Sequence, residues 1–171
     1  MPDCGLMCYY FDTVTLSNFA LVDSMDLLVA RYGRQLLVTH EVRTEIDDGI
    51  SSGFDALSVV DDLIYAGKIL LAPPMDTKEE RKLYLECLRT LSAGEASCIV
   101  CAASREGTVV TDDYAARKHC QENGIAVTGT IGILQRLIQE GLISLDQANE
   151  KLEAMIAAGF YSPISSFKDI L

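Results

Sequence analysis

Leu6–Asp12 reads LMCYYFD and runs straight into Thr13–Ala20, TVTLSNFA. The first stretch is a continuous apolar run that ends on an acid, the pattern of a strand buried on both faces. The second sets Leu16, Phe19 and Ala20 at helical spacing. A buried strand feeding directly into a helix opens an α/β unit.

The same alternation continues outward. The helical pattern reaches Tyr32, with a break near Asp23-Ser24 that predicts two short helices and Ser24 as the second cap. Gln35–Thr39 (QLLVT), Lys68–Ala72 (KILLA), Thr108–Thr111 (TVVT) and Ile125–Thr128 (IAVT) predict further strands. Between and after them, helical spacing predicts His40–Asp48 closed by Gly49, Phe54–Ala66 stopped by Gly67, and Thr77–Leu91. Ser92–Arg105 follows, with Gly107 turning the chain. Asp112–Asn123, Thr130–Glu140 and Ser144–Ala158 complete the set. Strands alternating with helices of this length predict an α/β fold with a mostly parallel sheet of about five strands.

The chain has 171 residues, of which 49% are hydrophobic and 23% charged, which predicts one compact domain over 1–171, with 145–171 as a C-terminal helix and tail. No apolar stretch reaches the roughly 20 residues needed to cross a bilayer. The start of the chain lacks the basic flank of a signal peptide, so the expected location is cytoplasmic. Six cysteines, Cys4, Cys8, Cys87, Cys98, Cys101 and Cys120, are more than a core of this size needs as crosslinks. Cys98 and Cys101 fall inside a helical pattern without a second pair, and read as small buried hydrophobes.

The acids fall where the strands end. Asp12 closes the first strand, Asp112 and Asp113 follow Val110-Thr111, Glu41 and Glu45 lie just after the second strand, and Glu95 opens the Ser92 helix. In an open parallel sheet the ligand crevice lies beyond the carboxyl ends of the strands, so these acids are expected to converge. Carboxylates gathered without matching Lys or Arg are tolerable where they bind cations or take up protons. Oxygen donors of this kind suit Mg²⁺ or Mn²⁺, which can drive phosphoryl transfer. Each acid also has a structural reading. Ser92-Ala93-Gly94-Glu95 fits a capping box, Asp112 or Asp113 fits a helix cap, and Asp113 stands four residues before Arg117, the spacing of a surface ion pair. His40 and His119 stand apart. Gly129-Thr130-Ile131-Gly132 follows a strand and opens a helix; it reads as a tight strand-to-helix turn, the alternative being a phosphate on its free N–H groups.

Taken together, Phe11-Asp12-Thr13, Val38-Thr39-His40-Glu41-Val42-Arg43-Thr44-Glu45, Leu91-Ser92-Ala93-Gly94-Glu95 and Val110-Thr111-Asp112-Asp113 resemble, in order and spacing, the successive blocks of PIN domains. The stretch Gly124–Leu134 and the tail Gly159-Phe160 resemble an uncharacterised prokaryotic PIN-like subgroup. The resemblance covers nearly the whole chain. It implies a three-layer α/β/α sandwich around the parallel sheet and a Mg²⁺- or Mn²⁺-dependent endoribonuclease hydrolysing RNA phosphodiesters. It implies metal ligation by Asp12, Glu95 and one of Asp112 or Asp113, with Glu45, preferred to Glu41, as ligand or water-orienting base. Thr13 and Thr111 would hydrogen-bond the acids. Many such proteins are homodimeric toxins of toxin–antitoxin pairs, so RNA, an antitoxin protein and a second copy are the expected partners.

Two features depart from that pattern. Glu95 stands where many toxin-type members have Asp, and the net charge is −11, against the usual reliance of nucleic-acid binders on Lys and Arg. Arg43, Arg81, Lys82, Arg105, Arg117 and Lys118 are the candidates for a local basic rim. Besides the ribonuclease, two readings stand: a catalytically weak PIN-like binding or regulatory module, and a phosphohydrolase of another α/β class. Against the last, Asp12-Thr13-Val14 lacks a second acid two residues on.

Overall fold

The structure is a computed structural model that describes residues 5–171; Cys4 lies outside the described residues. Five strands form one parallel sheet: β1 (Tyr9–Phe11), β2 (Leu36–Val38), β3 (Leu70–Leu71), β4 (Thr108–Val110) and β5 (Ala126–Thr128), in the order β3-β2-β1-β4-β5. The register sets Phe11 against Val110 and Val110 against Thr128. The residues that follow these strands therefore emerge side by side.

Helices cover both faces, giving the α/β/α layering. They are α1 (Thr13–Leu21), α2 (Met25–Tyr32), α3 (His40–Ser51), α4 (Ser58–Tyr65), α5 (Lys78–Cys87), α6 (Ala93–Arg105), α7 (Tyr114–Glu122), α8 (Thr130–Gln139) and α9 (Leu145–Ala157). The sheet centre is dry: Tyr10, Phe11, Leu36, Leu37, Val38, Val109 and Val110 are all buried. None of the described helices is long and apolar enough to cross a membrane.

The elements match the sequence pattern in order and differ at their ends. The strands are shorter than their apolar runs, because Leu6 and Met7 lie exposed ahead of the ladder. Gly49 does not close α3: the helix runs on to Ser51, and Gly49 is the site where Leu57 packs against the helix. Phe54–Ala66 begins as a 3₁₀ turn at Asp55–Leu57 before α4. Glu106, not Gly107, takes the left-handed turn after α6, with φ of 53°. Gly107 is small because Tyr10 and the Cys8 carbonyl lie against it. Ser24 precedes α2 without capping it; its hydroxyl donates to the Val22 carbonyl and accepts from Lys151.

Candidate metal centre

Each acid near the carboxyl end of the sheet is held by a helix N-terminus. Asp12 follows β1 in extended backbone and caps α1, its Oδ1 accepting from Thr15 N–H at 2.7 Å. Glu95 sits in the capping box of α6: Glu95 N–H donates to Ser92 Oγ, and Ser92 N–H donates to Glu95 Oε2 at 3.1 Å. Asp113 caps α7 through Ala116 N–H at 2.8 Å. Asp112 reaches across to α8, where Oδ1 accepts from Thr130 N–H at 2.8 Å. The free N–H groups and positive dipole ends of these helices offset the mutual repulsion of the carboxylates. This is how the acids can stand together without lysine or arginine.

Asp12, Glu95, Asp112 and Asp113 line one cleft of about 440 Å³, together with Val14, Asn18, Tyr114 and the segment Gly159–Tyr161. Asp12 is at its floor, 4% exposed. Burial pushes its carboxyl up to about 7, against hydrogen bonds from Thr111 and Thr15, and the nearby Asp112 charge adds to the rise. Burial also raises the Glu95 carboxyl, with the charges of Asp113 and Glu45 adding to it. Glu80, the other buried acid, shows the opposite balance. Burial pushes it up, but donors from Ser104, Asp76, Thr77 and Arg105 outweigh this and hold it at about 2.

Glu45 does not line the cleft. Its Oε2 accepts from Thr13 Oγ1 at 2.6 Å and its Oε1 from Gly94 N–H at 2.9 Å, so it ties α1, α3 and α6 together. A Cβ on Gly94 would stand 2.5 Å from Glu45 Oε2, which makes glycine a requirement of that contact. Gly129 serves Asp112 in the same way, since a Cβ there would collide with Asp112 Oδ1 and the Thr111 carbonyl. Glu41 is half-exposed and outside the cleft.

Thr111 donates to Asp12 Oδ2 and accepts from Asp113 N–H. Asp112 Oδ2 accepts from Thr130 Oγ1, from Asn18 Nδ2 at 3.3 Å and from Thr15 Oγ1 at 3.5 Å. Asn18, Thr15 and Thr130 were not marked by sequence. A signal existed for Asn18: a buried asparagine among Leu16, Phe19 and Ala20 in a helix is unfavourable unless its amide is bonded. Phe160 and Tyr161 carry no local signal, because the return of the C-terminal segment to the cleft is a tertiary event.

None of Arg43, Arg81, Lys82, Arg105, Arg117 and Lys118 lines the cleft. Arg43 pairs with Asp47 and Asp61, Arg105 with Glu80, and Lys118 with Glu122. Arg81 donates to the Asp76 carbonyl. Arg117 makes no ion pair with Asp113; it donates to the Thr111 carbonyl at 3.0 Å and lines an adjoining cavity. Cys98 and Cys101 are free and buried, with burial raising both thiols, Cys101 to about 11. His40 is exposed, and His119 lies 3.8 Å from Cys87 Sγ, away from the cleft.

Do these residues fit a divalent cation? Their donors are carboxylate oxygens, the class Mg²⁺ and Mn²⁺ take. The deeply buried Asp12 has no cationic side chain to neutralise it, and no Lys or Arg lines the cleft. Among the described residues, no three His, Cys, Asp or Glu side chains stand in a ready ligand arrangement, since Glu95 folds back on Ser92 and Asp112 is fully hydrogen-bonded. The donor set fits: the caps engage one oxygen each of Glu95 and Asp113 and leave the other free.

The model of the family DUF3368, a PIN domain, matches residues 8–171. A search of curated proteins returns no match. The crystal structure of PAE2754 from Pyrobaculum aerophilum is similar in fold, with a TM-score of 0.59 and 17% identity, over 78% of this chain and 98% of that one. The chain belongs to the PIN-domain family, whose members are generally nucleases and usually use divalent metal ions.

Proposed function

We propose that the protein is a Mg²⁺- or Mn²⁺-dependent endoribonuclease that hydrolyses RNA phosphodiester bonds. One observation carries this reading: four acids from three separate segments line one cleft, with the deepest, Asp12, buried and lacking a positive partner. Bound divalent metal would polarise the scissile phosphoryl group and supply an activated water. Asp12, Glu95 and Asp113 would hold it. Asp113 has one oxygen free after capping α7, whereas both oxygens of Asp112 are engaged, so Asp112 is read as a frame for α1, α7 and α8. Both oxygens of Glu45 are likewise engaged, which favours a positioning role over that of ligand or base. Thr111 holds Asp12 in the orientation its ligand role needs, and Thr13 does the same for Glu45.

Purified protein is expected to cleave single-stranded RNA in Mn²⁺ or Mg²⁺, to stop in EDTA, and to lose activity in Asp12→Asn with its circular dichroism unchanged. Absence of cleavage with every divalent metal would sink the reading.

A second reading is favoured by the fully engaged carboxylate of Asp112: a PIN-like binding or regulatory module with little turnover. Calorimetric Mn²⁺ binding without any RNA cleavage would support it. The further assignments, a toxin of a toxin–antitoxin pair acting as a homodimer, rest on family resemblance alone. Light scattering of the purified chain, and growth arrest on its expression relieved by a co-expressed neighbouring small protein, test them.

A further inference from the structure

Two tyrosines at the acid cleft do no packing. Tyr114, the first residue of α7 and the neighbour of Asp113, is 79% exposed, and Tyr161 is 95% exposed. Both residues stand at the mouth of the cleft that Asp12 and Glu95 line. Phe160, half-buried, packs on the core beside Tyr161 and fixes where that segment meets the cleft. Val14, 60% exposed, adds apolar surface at the same mouth. Exposed apolar side chains collected at one concave site mark a surface that something else covers.

The charge distribution narrows what that is. A nucleic acid normally draws its affinity from Lys and Arg against phosphate. Here the net charge is −11, no Lys or Arg lines the cleft, and Arg117 lines the adjoining cavity that Tyr161 also lines. A strand held in this cleft must gain its affinity elsewhere. Aromatic rings supply it by stacking on base faces, at about 1–3 kcal/mol per base, without regard to sequence. Bases in a duplex present no free face, so only unpaired ones can use the rings.

We infer that Tyr114 and Tyr161 stack on the unpaired bases flanking the scissile phosphate and thereby select single-stranded RNA. The inference rests on the ribonuclease reading, with the rings as specificity-determining groups. It makes binding weakly salt-dependent. With Arg117 as one phosphate contact, the slope of log affinity against log salt is expected to be about −0.7, against several times that for a basic groove.

The test is fluorescence anisotropy of a labelled single-stranded RNA decamer with the full chain in Ca²⁺, which neutralises the acids, with intactness of the RNA checked on a gel. Tyr114→Ala and Tyr161→Ala are each expected to weaken binding about tenfold. Tyr114→Phe and Tyr161→Phe, which keep the ring, are expected to bind as the unaltered protein does, and the same decamer in duplex form to bind at least tenfold more weakly. Alanine variants that bind normally, phenylalanine variants as weak as alanine, or a steep salt slope would each overturn the inference. Binding that follows this pattern in a protein that never cuts RNA in Mn²⁺ supports the stacking role and overturns the ribonuclease reading alone.

Discussion

Thr111 Oγ1 donates to Asp12 Oδ2, joining residues 99 positions apart across the β1–β4 seam, and the same oxygen accepts from Asp113 N–H at 3.2 Å. The parallel register that sets Phe11 against Val110 brings the two strand ends together. One hydroxyl thus orients the buried acid at the cleft floor and the turn that presents Asp113. Its bond to Asp12 opposes the rise that burial imposes on that carboxyl.

Thr111→Val should therefore raise the Asp12 carboxyl above its value of about 7. If the ionised form of Asp12 holds the cation, the acid limb of the cleavage profile moves to higher pH. Carboxyl NMR titration of Asp12 checks the shift directly. An unchanged titration would show that the hydroxyl does not bear on Asp12 ionisation.

Stability in the absence of metal should fall between about pH 4 and pH 7. Asp12 is raised from 3.8 to about 7 in the folded chain, so the folded state binds the extra proton across that window and loses this advantage as pH rises. The full difference is on the order of 4 kcal/mol. Glu80, lowered to about 2, acts in the other sense: its contribution is complete above its ordinary range and is lost as pH falls toward 2. Thermal melts in EDTA should place the optimum near pH 4–5, with Asp12→Asn removing most of the decline above it. Added Mn²⁺ should raise the melting temperature at pH 7.5 and not in that variant.

Glu95 is proposed to serve as both cap and ligand, and two substitutions separate the roles. Glu95→Gln can keep the bond to Ser92 N–H, because glutamine also fits a capping box, while losing the charge. It should melt within about 0.5 kcal/mol of the parent and lose most metal-dependent cleavage. Ser92→Ala should cost about 1 kcal/mol of stability and retain most activity. The reverse pattern, read by denaturant melts and RNA cleavage, would confine Glu95 to capping.

Gly94→Ala forces a Cβ to within 2.5 Å of Glu45 Oε2. Glu45 must leave Gly94 N–H, at a cost of about 1–3 kcal/mol. Its displacement of roughly an ångström should lower cleavage by up to about 100-fold. Glu45→Gln should retain more activity than Gly94→Ala if Glu45 positions and does not ligate; chemical denaturation and single-turnover cleavage measure both.

What could be read from the chain alone is what short-range physics controls. LMCYYFD announced a buried strand ending on an acid because burial on both faces leaves no polar alternation. Ser92 and Glu95 announced a capping box because its partners lie three residues apart. The positions of Asp12, Asp112 and Asp113 at strand ends followed from the β-then-α pattern. Gly49 misled as a stop because a glycine in a helix is indistinguishable, by sequence, from one at its end; Leu57 packing against it decided the matter.

Tertiary structure decided the division of labour among the acids. Asp112 and Asp113 are adjacent in the chain, yet Asp112 is consumed by Thr130 and Asn18, and Asp113 keeps an oxygen free. No local pattern distinguishes them, because the partners that consume Asp112 come from α1 and α8. The same holds for Glu45, drawn to Gly94, and for Tyr161, returned to the cleft by the segment beyond α9. The acids themselves were legible in the sequence. The N-termini of α1, α7 and α8, which hold three of them, come together only once the sheet register aligns the ends of β1, β4 and β5.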